Sequence, residues 1–403
     1  MEYHQNYYTM KRLFIVFSFL VSALVASAQT IYICKNGSYT TKEISEGLEI
    51  NSNECDSITF DVPKFGAPTV TVKYSGSSVS VDIPAYAASY ITSTVSGANV
   101  SITNTQVGGE ETTYVVSGSS TDGSLTINGS YKMTVELDGL NLTSKSGAPL
   151  DLECGKRIDL ILKDGTTNSL ADAASSSVKA ALYSKGHMEI KGTGTLNVSG
   201  NANHAIASKE YIEIKNSCTI NIVKAANDAM HIGQYFAMNA GTINIDENTK
   251  GDGIQVEVTN DASDENNGQM LFKGGAIYAT ISHEDCKAIK ADSNITITGT
   301  YMSINANGNG SRGIQTDGNL VVGQEDGMTA ITINAAGGKC TLAECAADPH
   351  KCTGIKVDGD MTVKAGTIKV NNSGKKSKGI KVGGTYNKIG GTVDAIVEAA
   401  ITL

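Results

Sequence analysis

Three consecutive stretches of 24 residues decide the fold: Ala181–His204, ALYSKGHMEIKGTGTLNVSGNANH; Ala205–Asp228, AIASKEYIEIKNSCTINIVKAAND; and Ala229–Asp252, AMHIGQYFAMNAGTINIDENTKGD. Each opens on a small-apolar pair, Ala181-Leu182, Ala205-Ile206 and Ala229-Met230, and the next opens on Gly253-Ile254. A second short alternating run follows the pair, as in Met188-Glu189-Ile190 and Ile212-Glu213-Ile214. After a turn comes a third, Thr195-Leu196-Asn197-Val198, Thr219-Ile220-Asn221-Ile222 and Thr242-Ile243-Asn244-Ile245. Apolar-polar alternation is the period of a strand, and strands this short cannot bury an apolar face alone. Three of them per ~24 residues specify one coil of a right-handed parallel β-helix, a solenoid in which each coil covers its neighbours.

The series continues outward through Ala288-Ile289, Gly313-Ile314, Gly354-Ile355 and Gly379-Ile380, with insertions at 257–270 and around 323–351, and it reaches back to Ala148. That makes about nine or ten coils. A propeller blade needs ~40 residues or more, and a leucine-rich repeat needs leucines at fixed offsets that are missing here. Composition agrees with an all-β chain: 43 glycines, five prolines and no tryptophan describe short strands joined by tight corners. No convincing helical segment is found.

At the N-terminus Lys11 and Arg12 precede an apolar run from Leu13 to Val25 that ends in Ala26-Ser27-Ala28, which reads as a signal peptide over residues 1–28. The run is shorter than the ~20 residues that span a bilayer. The expected location is therefore secreted, periplasmic or cell-surface, with no membrane insertion after cleavage. Residues 29–65 read as a small N-terminal β-hairpin unit closed by Pro63, residues 66–115 as linker or capping strands, and residues 116–403 as the β-helix. The protein is expected to be a monomer. A formal net charge of −9 excludes nucleic acid as the natural partner. Eight cysteines in an exported chain permit disulfides, with Cys34–Cys55 or the cluster Cys340, Cys345 and Cys352 as local pairs. Zinc is the competing reading of that cluster, with His350 nearby.

Equivalent residues of successive coils stack about 4.8 Å apart, so the position before each anchor pair becomes a vertical row. That row reads His204, Asp228, Asp252, Lys287, Arg312, Thr353 and Lys378; the row three residues later reads Ala207, His231, Gln255, Lys290, Gln315, Lys356 and Lys381. Two carboxylates at this spacing can share one Ca²⁺, so Asp228 and Asp252 are the expected metal ligands, with Asn227, Gln255 and Glu257 completing the oxygen shell. Lys287 and Arg312 are placed to receive the carboxylates of an acidic sugar, with Lys290, Gln315 and His231 as further ligand contacts. The competing reading is a charge-compensated ladder with neither metal nor ligand. Asp292, Asp317 and Asp358 recur at one corner and read as turn formers. Tyr183, Tyr211, Tyr235 and Tyr301 are the rings able to stack on sugar. No nucleophile elbow, phosphate loop or zinc-protease motif occurs.

The stretch Val116–Ala173, VSGSSTDGSLTINGSYKMTVELDGLNLTSKSGAPLDLECGKRIDLILKDGTTNSLADA, together with NDAMHI, GDGIQV, CKAIKAD, SRGIQTDGN and CTGIKVDGD further on, resembles a family of extracellular carbohydrate-binding domain proteins. That family's β-helix is similar to pectate lyases, and the resemblance implies association with calcium and with plant-type polysaccharides, polygalacturonate among them. By position, its acidic residue before the anchor matches Asp228 and Asp252; the doubled aspartate often seen there is Asn227-Asp228 and Gly251-Asp252 here. The leading expectation is a non-catalytic protein that binds an extracellular acidic polysaccharide with calcium assistance. The alternatives are a calcium-dependent polysaccharide lyase, with Lys287, Arg312 or Lys290 as base, and a structural surface or adhesin protein.

Overall fold

A computed structural model describes residues 30–43, 55–59, 66–260, 263–324, 328–347 and 349–399. The expected signal peptide over residues 1–28 and the expected closure at Pro63 lie outside these. Residues Thr69 to Glu398 build a right-handed parallel β-helix whose coils contribute one strand to each of three faces. The anchor face carries the strands that begin at the small-apolar pairs, among them Ala180–Ser184, His204–Ser208, Met230–Gly233, Ile254–Glu257, Lys287–Ala291, Arg312–Thr316, Thr353–Val357 and Lys378–Val382. Among the described residues the only helical turns are two short 3-10 segments, Ala85–Ala87 and Ala343–Ala346.

The pairing is in register with the repeat. On the anchor face Leu182, Ile206, Met230, Ile254, Ile289, Ile314, Ile355 and Ile380 stack one above the next. On the second face Met188, Ile212, Phe236, Met270, Ile295, Leu320 and Met361 do the same. Leu196, Ile220, Ile243, Ile277, Met302, Ile331 and Ile368 form the third ladder. All of these are buried in one continuous core, at roughly 1.5–3 kcal/mol for each side chain removed from water.

The anchor pair begins with Ala or Gly because its first residue sits in a tight inside corner. Ala205, Ala229 and Ala288 are fully buried. A Cβ on Gly253 would stand 2.3 Å from the Ala288 carbonyl oxygen, and one on Gly313 would stand 2.6 Å from that of Gly354. Outward-facing polar positions also stack: Asn244 donates to Asn221, and Asn221 to Asn197, at 2.7 and 2.8 Å.

The first coils are entered through two hairpins. Thr69–Ser75 pairs antiparallel with Ser78–Asp82 and parallel with Thr112–Ser120; Ile91–Ser96 pairs antiparallel with Ala98–Asn104, which runs parallel to Gly123–Gly129. Separately, Thr30–Lys35 lies between Ser38–Glu43 and Ser57–Thr59 in an antiparallel three-stranded sheet. Among the described residues the disulfide is Cys340–Cys345; Cys34 and Cys352 keep free thiols, so the Cys34–Cys55 pairing is not formed.

Candidate functional site

The row before the anchors is real. Lys287, Arg312, Thr353 and Lys378 are register partners across four coils, and His204, Asp228 and Asp252 precede the stacked Ile206, Met230 and Ile254. Its acidic half does structural duty. Asp228 Oδ1 accepts the backbone N–H of Asp252 at 2.8 Å, and Asp252 Oδ1 accepts that of Lys287 at 2.7 Å. Each carboxylate thus satisfies a corner amide of the coil beyond it, a group that is costly to leave unpaired once buried. Burial pushes the Asp252 carboxyl up to about 6 against the pull of Lys287.

Asp228 has a second task. Burial opposes its ionisation, but hydrogen bonds from His204 and His231 and from the Asp252 amide outweigh that and hold it below the ordinary carboxylate range. His231 Nδ1 lies 2.9 Å and His204 Nδ1 3.2 Å from the one oxygen, Asp228 Oδ2. The two imidazoles stack with centroids 4.4 Å apart. The bond to Asp228 raises the His231 pKa above its ordinary value.

The basic half lines a cavity of about 500 Å³, within the range typical of small-ligand sites. Lys287 and Arg312 come from the row before the anchors, and Lys290, Gln315 and Lys356 from the row three residues later. The segment inserted between coils, described over 336–347 and 349–352 and carrying the Cys340–Cys345 disulfide, supplies a wall through Glu344, Cys345 and His350. Asp285 ties wall to floor. Its Oδ1 lies 3.0 Å from Arg312, 3.3 Å from Lys287 and 2.8 Å from His350. Burial opposes ionisation of Asp285, yet Lys287, Arg312 and the contact with His350 hold its carboxyl below the ordinary value. Arg312 is buried on the floor, at 7% exposure. Lys290 has no carboxylate within ion-pair distance among the described residues and faces the cavity. Four cations against two carboxylates make this a cationic site on an anionic chain.

Of the residues expected to contact ligand, Lys287, Lys290, Arg312 and Gln315 come together here, whereas His231 turns to Asp228 instead. Asp285, His350 and Lys356 complete the site. Lys356 lay in the ladder read from sequence, but Asp285 and His350 are 65 residues apart and meet only through the path of the insertion. The rings expected to stack on sugar are divided. Tyr183 is buried under Lys179, Tyr211 is sandwiched between His187 and Tyr235 at 4.6 and 4.4 Å, and Tyr301 lies exposed beside Tyr278.

Asp228, Asp252, Asn227 and Gln255 do not present an all-oxygen shell. Asn227 donates to Asn203, Gln255 donates to Glu257, and each aspartate holds a backbone amide. The clustered donors around Asp228 are two nitrogens and one oxygen, and Asp252 belongs to no group of three His, Cys, Asp or Glu donors among the described residues. Calcium takes six to eight oxygens, so this set does not fit it. Cys340, Cys345 and His350 also cluster, but sulfurs bonded to each other are not thiolate ligands for zinc.

A family model described as carbohydrate-binding domain-containing protein matches residues 96–398. A carbohydrate-binding domain-containing protein of Acetivibrio thermocellus is 29% identical over 93 residues, which are 21% of this chain and 32% of that protein; the match therefore spans about a third of the relative's length. Among solved structures, a gadolinium derivative of the polysaccharide lyase-like protein from C. thermocellum superposes with a TM-score of 0.51 at 22% identity. It covers 65% of this chain and 99% of that one. The likeness is one of fold.

Proposed function

We propose that this chain, which belongs to the family of carbohydrate-binding domain-containing proteins, takes an acidic polysaccharide on its anchor face, in the walled cavity floored by Lys287, Lys290, Arg312 and Gln315. One observation carries the reading: four cations converge on one cavity of a chain whose net charge is −9. A sugar carboxylate entering there would meet the guanidinium of Arg312, which can hold both its oxygens, and the ammonium groups of Lys290 and of Lys356, the latter shared with Asp358 at 2.9 Å. Gln315 offers a neutral amide to hydroxyls. The protein would act outside the cytoplasm, secreted, periplasmic or at the cell surface, and no step is routed through calcium.

The wall supplied by residues 336–352 favours one second reading, a lyase. Such an enzyme must hold its base within hydrogen-bond reach of the proton removed, and a walled cavity with Lys287 and Arg312 on the floor offers that setting.

Calorimetric titration of the protein with an oligogalacturonate, with and without calcium and beside a neutral oligosaccharide of equal length, tests the reading while absorbance is followed for unsaturated product. Binding of the acidic sugar alone, without absorbance change, supports a binding protein. Rising absorbance replaces it by the lyase. Equal binding of both sugars, or none, refutes the acidic-ligand reading.

A further inference from the structure

We infer that His204, Asp228 and His231 form a binding site for a divalent transition metal of the zinc type, separate from the cationic cavity and independent of what sugar the protein takes. The three side chains come from two successive coils and offer His204 Nδ1, His231 Nδ1 and Asp228 Oδ2, all within 4.8 Å of one another. The nitrogens already stand 2.9 and 3.2 Å from the oxygen. Donors ~2.0–2.1 Å from a tetrahedral ion lie about 3.3 Å from each other, so the two nitrogen–oxygen contacts would open by a few tenths of an ångström, and the stacked rings would turn to aim both nitrogens at one ion.

A second observation points to a cation. The His204 Nδ1 is 3.3 Å from the Asp228 backbone N–H, a contact that needs its lone pair, and 3.2 Å from Asp228 Oδ2, a contact that needs a proton there. One ring nitrogen cannot do both. A metal ion between nitrogen and oxygen takes the place of the proton that the second contact needs, because it draws on lone pairs from both, and the Asp228 N–H then gives up Nδ1 as its acceptor. The surroundings agree. His231 turns its other nitrogen, Nε2, toward Glu257 Oε2 at 3.6 Å, and a metal-bound imidazole characteristically directs its second nitrogen at a carboxylate that fixes its tautomer. Asp252, buried one coil beyond, adds negative potential.

Two imidazoles and one carboxylate with room for water select zinc-type ions over calcium, whose ligands are oxygens. His231 is half-buried while His204 and Asp228 are buried, which leaves the open position on the solvent side. The ion would clamp neighbouring coils at the acidic end of the row, one coil before it turns basic.

The test is titration of the purified, metal-stripped full chain with Zn²⁺ and with Ca²⁺, read by calorimetry and by thermal unfolding, for the parent protein and for His231→Gln, His204→Gln, Glu257→Gln and the exposed His283→Gln. The expected result is one Zn²⁺ per chain with a rise in Tm, loss of both in His231→Gln and His204→Gln, about ten-fold weaker Zn²⁺ binding in Glu257→Gln, and no change in His283→Gln. Because His204 is buried, its variant counts only if circular dichroism shows it folded; the more exposed His231 variant decides alone otherwise. Absence of Zn²⁺ binding, binding that survives in a folded His231→Gln, or displacement of Zn²⁺ by an equal concentration of Ca²⁺ overturns the assignment.

Discussion

Replacing Arg312 by Gln removes the one guanidinium on the floor of the cavity and keeps a polar side chain of similar reach. The parent arginine is 7% exposed and lies 3.0 Å from Asp285 Oδ1. Asp285 retains Lys287 at 3.3 Å and His350 at 2.8 Å on the same oxygen, so the variant leaves no orphaned carboxylate and is expected to fold. What it loses is the charge-assisted, two-pronged contact with a sugar carboxylate. Hydrogen bonds to charged groups are worth about 1.5–3 kcal/mol net, and little solvent is present to screen this one. The expected effect is a rise of roughly 10- to 150-fold in Kd for an oligogalacturonate at unchanged stoichiometry. Arg312→Lys, which keeps the charge but not the fork, should recover part of the loss. The assay is isothermal titration beside a neutral oligosaccharide, with circular dichroism confirming the fold. An unchanged Kd for the acidic sugar, or an equal loss for the neutral one, would refute the reasoning.

Three further outcomes are expected. Lys290→Ala removes a floor cation more exposed than Arg312, where screening is stronger, and should weaken the same binding only about two- to five-fold, with a salt dependence shallower than that of the parent in titrations at two ionic strengths. Asp151→Asn acts on stability. Burial and the neighbouring Glu153 push the Asp151 carboxyl up to about 6, against Lys179. A raised carboxylate contributes full stability below the unfolded value of ~3.9 and loses it as pH rises through the folded value, so the variant should gain about 1–2 kcal/mol at pH 8, after discounting for solvent, and nothing near pH 4; a gain in urea melts that does not vary with pH would count against this. Gly313→Ala forces a Cβ to within 2.6 Å of the Gly354 carbonyl oxygen and 2.7 Å of the Ile333 side chain, and should cost about 1–3 kcal/mol in the same melts, with a parent-like midpoint as the contrary result.

The sequence by itself determined the coil. The small-apolar pairs at 24-residue spacing set which residues stack, because the side-chain period of a strand fixes which of them point inward and a solenoid repeats that choice in every coil. It also determined the vertical rows, since Lys287 over Arg312 and Lys290 over Gln315 follow from register alone. Tertiary structure decided what the rows do. Whether Asp228 offers its oxygens outward or spends them on the Asp252 amide and two imidazoles depends on side-chain rotation at a corner, about which a repeat says nothing. Whether the basic residues lie on an open face or floor a cavity depends on the path of residues 336–352, which break the repeat and carry His350 back to Asp285. Repetition is legible because every coil obeys the same local rule. Contacts made by an insertion obey no such rule, and only the packed chain brings them together.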